Sequence, residues 1–225
     1  MSEGEQLSDF TVVYTENQTN GKGQMGSKWQ SNKSDNLTFS VFCNSSFLKL
    51  KDHFYLNCAV SISVFSVLHK LMIPQLSVKW PNDILSGHKK LSGILIENVI
   101  KSSSETHSII GVGLNVNQLE FNPLFKATSL KAVLGQNFNL EEVLILLITE
   151  LQKQFKLLKN GQFDDLHDAY EKHLFRKNKP STFKNAEGEL FSGFIKNVTP
   201  TGELQILVED AILKEFKLKE IKLLY

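Results

Sequence analysis

The stretch Val78–Glu97, VKWPNDILSGHKKLSGILIE, constrains this chain more than any other. Leu76–Trp80 alternates like a strand, and Pro81, Asn82 and Asp83 break it. A second polar break covers Ser86–Lys90, after which Leu91–Val99 resumes as an apolar, β-branched run. Gly93 inside that run marks a point where another backbone or a ligand comes close. Two strands ending at one charged loop make a place for chemistry, because a plain hairpin has no need of Lys79, Asp83, Lys89 and Lys90 together. Turn preference alone also accounts for Pro, Asn and Asp at these positions. Trp80 reads first as core packing.

The rest of the chain supplies the surroundings. Phe10–Thr15 and Asn36–Phe42 read as strands, separated by the glycine-punctuated loop Glu16–Gly26. Phe54–Lys70 has helical apolar spacing, and a third strand of the central group covers Thr106–Val116. Asn139 caps a helix with Glu141 and Glu142 in its first turn and an apolar face over Leu144–Leu158. A further helix at Phe163–His173 leads to a linker, Arg176–Lys179. Beyond Pro180 the texture changes to closely spaced hairpins: Ser181–Lys184, Leu190–Val198, Leu204–Val208 and Ile212–Leu218. These predict a small SH3-like barrel over 178–225, after a larger unit over 1–177.

Composition narrows the function. A net charge of +1 argues against a generic nucleic-acid binder, so any anion site must be local. Cys43 and Cys58 are the only cysteines and form no CxxC pair, which fits a reducing, cytoplasmic setting. The first ten residues have neither the basic nor the apolar segment of a signal peptide. The longest apolar run, Val143–Ile148, is too short to cross a bilayer. The six histidines show no ligand spacing.

Three clusters carry candidate chemistry. The loop Gly21, Lys22, Gly23, Gln24, Met25, Gly26, followed by Lys28 and Trp29, lets backbone amides converge on an anion beside lysine charge. On its own it reads first as a flexible hairpin turn. In the central loop, Asp83 offers a hard carboxylate to Mg²⁺ and Lys90 a cation to a carboxylate or phosphate. In IGVGLNVN, Asn115 and Asn117 share a strand face with Gly111 and Gly113. Two amides beside two bare backbone positions suit an adenine or ribose; a bulged strand running into a turn explains them as well.

Taken in order, GKGQMGSKW, KWPNDI…KLSGILIE and GVGLN resemble the motifs of the biotin–protein ligase family, the biotin–[acetyl-CoA-carboxylase] ligases. The resemblance runs from about Phe10 onward. It implies an α+β fold like the catalytic domain of class II aminoacyl-tRNA synthetases: a mixed sheet flanked by helices, with the small C-terminal barrel. It also implies an ATP-dependent activity. Biotin's carboxylate attacks the α-phosphate to give biotinyl-5′-AMP, and the amine of a lysine on a biotin carboxyl carrier domain then displaces AMP. By motif position, Gln18 bonds the biotin head group, Gly21 to Gly26 with Lys22 form the phosphate loop, and Trp29 walls the nucleotide side. Asp83 holds magnesium, Lys90 bridges carboxylate and α-phosphate, and Asn115 faces the adenine. Lys79, Asn82, Gly93 and Asn117 complete the expected substrate contacts.

Two departures accompany the resemblance. Relatives carry an upstream strand and helix with a Ser-Thr-Asn motif, whereas MSEGEQLSDF matches only the tail of that helix, as in an N-terminally truncated form. The glycine loop has Lys22, Gln24 and Ser27 where arginines are common. No helix-turn-helix precedes it, so DNA binding is not expected; monomer and homodimer both remain open. The alternatives are a lipoate–protein ligase-like acyltransferase and a catalytically silent module that binds the carrier.

Overall fold

The computed structural model describes residues 7–102, 105–122 and 126–225, apart from the side chains of Met25, residues 100–102 and residue 105. In chain order the elements begin with β1 (Thr11–Thr15), β2 (Gly21–Lys22), β3 (Lys28–Trp29) and β4 (Leu37–Asn44), then α1 (His53–Lys70). Four strands follow: β5 (Leu76–Lys79), β6 (Asp83–Ser86), β7 (Lys89–Ser102) and β8 (Glu105–Leu114). Three helices come next, α2 (Leu130–Leu134), α3 (Leu140–Lys159) and α4 (Phe163–Lys172). The chain then runs through β9 (Pro180–Asn185), β10 (Leu190–Val198), β11 (Leu204–Leu207), β12 (Leu213–Phe216) and β13 (Ile221–Leu224).

Six strands form one sheet in the order β1-β4-β8-β7-β6-β5. Every named ladder in it is antiparallel, so the mixed sheet expected from the resemblance is not what forms among the described residues. Consecutive strands β5 to β8 are joined by hairpins, which can only pair antiparallel. Strand alternation gives the sheet two unlike faces. Phe39, Val41, Ile94, Ile110, Val112 and Leu114 are buried on the helix side. The opposite face carries Thr38 and Ser40 on β4, Gly93 on β7, and Gly111 and Gly113 on β8, all lining a cavity.

The helix side explains itself from sequence. Twelve of the residues in α1 are buried, because the helix lies between the sheet and a second layer of α3 and α4. A helix covered all round is apolar all round. In α3, Asn139 Oδ1 accepts from the amides of Glu141 and Glu142, as its capping position predicts. Val143, Leu147, Leu151 and Phe155 then recur on the buried face. Glu150 on α3 ties back to Lys70 at the end of α1 at 2.8 Å. Cys43 and Cys58 are free and buried. No helix of the described residues is long and apolar enough to cross a membrane.

The C-terminal hairpins form a five-stranded antiparallel sheet, β12-β11-β10-β9-β13, around buried Phe183, Ile195, Leu204 and Ile206. The closed SH3-like barrel is not established: β12 and β13 are the outer strands, and no ladder joins them among the described residues. β13 itself had no sequence expectation. This sheet is fastened to the first at named points. Trp80 Nε1 donates to the Gly202 carbonyl at 2.9 Å, and the Val198 amide donates to Glu171 on α4 at 2.6 Å.

Candidate active site

The break at Pro81 is a fixed turn. Its carbonyl accepts from Asn57 Nδ2 on α1 at 2.9 Å and from the buried Tyr170 hydroxyl on α4 at 3.0 Å. Burial, first of all, pushes the Tyr170 phenol well above its ordinary range, so it stays a donor. Asn82 Nδ2 reaches across to the Ile94 carbonyl at 2.5 Å, and the Ile94 amide returns a bond to Asn82 O at 3.0 Å. Two helices and a neighbouring strand therefore hold Lys79, Asn82 and Asp83 in place.

Asp83 sits between two ammonium groups. Its Oδ1 is 2.5 Å from Lys90 Nζ and its Oδ2 is 3.3 Å from Lys79 Nζ. Lys90 is positioned through its own backbone. Its amide donates to Lys126 O at 2.6 Å, and its carbonyl accepts from the Thr128 amide at 3.0 Å. A side chain that must present charge to a ligand gains precision when its backbone is tied down on both sides.

Two cavities meet at this cluster. The larger, about 670 Å³, opens between the central turn and the C-terminal sheet. The smaller, about 470 Å³, lies on the glycine-bearing face of the first sheet. Lys28, Trp29, Lys79, Pro81, Asp83 and Lys90 line both. Gly93 pairs with Gly113 across β7 and β8, so two bare positions face each other in a trough. The indole of Trp29 fills it: a Cβ on Gly113 would stand 2.4 Å from Trp29 Cε2. Lys90 Nζ lies 5.5 Å from the centre of the same indole. Trp29 Nε1 is buried without a hydrogen-bond partner among the described residues.

The residues singled out in the sequence divide accordingly. Gln18, Lys22, Gly23, Gln24, Asn82 and Gly93 line the smaller cavity, with Trp29, Lys79, Asp83 and Lys90 at the junction. Gly21 is needed by the backbone, because a Cβ there would stand 2.4 Å from Trp29 O. Gly26 supplies a left-handed turn at φ +83° and lines neither cavity. Met25 lies in the same turn, and its side chain is outside the described residues.

One expectation requires correction. Asn115 and Asn117 do not share a strand face with Gly111 and Gly113, because β8 ends at Leu114. Asn115 borders the larger cavity, but its amide is committed to the carbonyls of Thr128 at 3.0 Å and Lys90 at 3.4 Å. Asn117 pairs with both the amide and the carbonyl of Phe138, each at 2.9 Å, and acts as a loop brace. Asp83, the expected magnesium carboxylate, stands where the two cavities meet. No group of three or more metal-ligating side chains exists among the described residues, and both Asp83 oxygens already face lysines. Magnesium takes one or two protein carboxylates and completes its shell with substrate phosphate oxygens and water, so a single carboxylate is compatible with that role.

Sequence reasoning missed Gln118, Phe121, Lys126 and Tyr225, which line the larger cavity. Lys126 gives a weak signal, being a lone cation just ahead of the Ala-Thr-Ser that precedes α2. Tyr225 gives none, since only the tertiary fold brings it there.

Comparison with known proteins agrees with this arrangement. The model of the biotin/lipoate A/B protein ligase family matches residues 3–115. The bifunctional ligase/repressor BirA of Escherichia coli is 28% identical over 224 residues, covering 97% of this chain and 68% of that protein. The Bacillus subtilis BirA is 29% identical over 150 residues, and the match spans only 46% of its length. Among solved structures, the biotin protein ligase of Aquifex aeolicus, in complex with biotin and ATP, superposes with a TM-score of 0.81 at 26% identity. That match covers 98% of this chain and 91% of that one. The chain belongs to the biotin/lipoate A/B protein ligase family, on its biotin–protein ligase side.

Proposed function

We propose that the chain is an ATP-dependent biotin–protein ligase, with biotin in the smaller cavity and the nucleotide in the larger. The observation that carries this reading is the shared junction: Lys90 and Trp29 border both cavities. A carboxylate entering from one side and a phosphate entering from the other meet there.

The chemistry follows from that geometry. A carboxylate and a triphosphate repel, so the first task is to bring two anions together. The Lys90 ammonium, anchored through its backbone, offsets that repulsion and stabilises charge building on the α-phosphate oxygens. A biotin carboxylate oxygen forms a bond to the α-phosphorus while the bond to the β-phosphate oxygen breaks, and pyrophosphate leaves with that electron pair. In the second step the neutral amine of an acceptor lysine attacks the acyl carbon. AMP leaves from it, and the amine proton passes to solvent. Gln18 and the polar wall of Thr38 and Ser40 address the head group, and the segment Gly21–Gly26 with Lys22 closes over the adenylate. Magnesium enters as part of the ATP substrate, and Asp83 sets the spacing of Lys79 and Lys90. The acceptor is a biotin carboxyl carrier domain, and residues 178–225 form a unit separate from the catalytic 1–177.

The test is biotin-dependent exchange of labelled pyrophosphate into ATP. The wild-type chain should exchange, and Lys90→Ala should lower the rate by about 10²–10³-fold, the scale of one lost transition-state donor. Robust exchange by Lys90→Ala removes the assigned role. Exchange supported by lipoate and not by biotin moves the chain to the other side of its family.

A further inference from the structure

Tyr225 stands far from the Pro81 turn in the chain and against it in space. Its ring lies 5.6 Å from Lys79 Nζ and 4.6 Å from Lys126 Nζ, measured to the centroid. Phe175 meets it edge-on at 5.1 Å and His88 lies tilted beside it at 6.1 Å, so the ring is braced from behind. Burial, and then the charge of Asp83, raise the phenol above its ordinary range, which keeps it neutral. Two ammonium groups on one ring repel each other, and the negative face of the ring offsets part of that repulsion. Lys79 has Asp83 as a counter-ion, whereas Lys126 has no carboxylate at ion-pair distance among the described residues. Both lysines and the ring line the larger cavity, where Asp83 is the only acidic side chain among the lining residues.

A pair of cations held at fixed spacing, with less than their charge neutralised, fits a ligand carrying several negative charges on a short chain. We infer that Tyr225 is a positioning residue for the nucleotide: its ring holds Lys79 and Lys126 together at the cavity wall, where both face the polyphosphate of ATP. This rests on the reading of the larger cavity as the nucleotide side. The role belongs to the ring and not to the hydroxyl, and it makes the C-terminal sheet part of the substrate site.

The experiment compares Tyr225→Leu, Tyr225→Phe, Lys126→Gln and the double variant Tyr225→Leu/Lys126→Gln, in the full chain. The readouts are equilibrium titrations with magnesium–ATP and with biotin, alongside steady-state exchange. Tyr225→Leu should weaken ATP binding and raise the KM for ATP by about tenfold, the size of a well-placed cation–π contact. kcat and biotin affinity should stay within about twofold, since the lost contact binds ATP equally in the ground state and the transition state. Tyr225→Phe, which keeps the ring, should restore ATP binding. Adding Tyr225→Leu to Lys126→Gln should cost less than Tyr225→Leu costs alone, because only the Lys79 contact is then left for the ring to supply. Wild-type ATP affinity in Tyr225→Leu overturns the inference. So does a Tyr225→Phe as impaired as Tyr225→Leu, or an equal loss of biotin affinity. Wild-type chain that binds ATP but shows no biotin-dependent exchange refutes the ligase reading instead, and the ATP titrations still decide the role of Tyr225.

Discussion

The glycine loop and the Pro81 turn border the same cavities and are built in opposite ways. The turn is held by side chains from α1 and α4, by β7, and through Trp80 by the C-terminal sheet. The loop between Lys22 and Lys28 holds itself with local bonds. Gly23 N donates to Ser27 O, and both the amide and the hydroxyl of Ser27 donate to Gln24 O. A two-residue ladder, β2 with β3, closes its base. Its one deep attachment is the Trp29 indole in the Gly93–Gly113 trough. Few long-range bonds and an exposed backbone mark a segment that opens at low free energy, whereas the turn opens only with the whole domain. The difference assigns the tasks: the turn fixes where the reacting charges stand, and the loop is free to adapt around whatever fills the space.

The largest effect should come from breaking the fixed side. In Asn57→Ala/Tyr170→Phe both side-chain donors to the Pro81 carbonyl are gone, and a half-buried acceptor is left without them. The loss should be about 2–3 kcal/mol, a fall in Tm of roughly 4–10 °C for a chain of this size. Biotin-dependent exchange should fall with it. A variant with unchanged Tm would show that the turn holds its shape by its own sequence, and the contrast with the loop would disappear.

A smaller effect is expected where the two regions touch. In Gly113→Ala the new methyl falls within 2.4–2.8 Å of three indole carbons of Trp29, so the ring must leave the trough. Misfit of this size costs about 1–3 kcal/mol when it is held in a core. Here the loop should yield instead, and Tm should change little. With Trp80→Phe as background, Trp29 becomes the only indole in the chain, and its emission should shift to the red. Exchange activity should drop while the fold persists. Emission and activity both unchanged would mean that the indole does not occupy the trough in solution.

The same contrast governs how much was legible in the sequence. The turn and its strands could be read because their signals are local: Pro81-Asn82-Asp83 interrupts two apolar runs, and Asn139 announces α3. The short helix α2 also carried readable signals, a Ser129 cap and Gly135 at φ +74° beyond its end, though only five residues lie between them. What could not be read depends on where segments come to rest. Asn115 and Asn117 continue the alternation of β8 in sequence, yet the strand stops one residue earlier and both amides turn to brace loops. Tyr225 meets Lys79 and Lys126 only because the second sheet packs against the first. No periodicity records that contact. The trough was half legible: Gly93 signalled close approach and Gly113 a bare backbone position, but their pairing across two strands needed the register.

The smallest effect concerns the layer behind the turn. Burial alone would raise the Glu150 carboxyl, but hydrogen bonds from Lys70 and Gln154 and the charge of Lys153 outweigh it and hold the group below its ordinary value of 4.5. The unfolded chain therefore binds this proton more tightly than the folded one. Stability from the Lys70–Glu150 link is complete above the unfolded value and is lost as pH falls through the lower folded value. Lys70 is 60% exposed, so screening limits the link to at most about 1 kcal/mol. Glu150→Gln should therefore lower Tm by roughly 2–4 °C near neutral pH. The gap between variant and wild type should close as pH drops below the ordinary glutamate range. The clamp joins α1 to α3 and touches nothing in the loop, so biotin affinity at neutral pH should not change. If acid or Glu150→Gln weakened biotin binding before it lowered Tm, the helix layer and the loop would be coupled, and the division between a fixed turn and an adaptable loop would not describe this molecule.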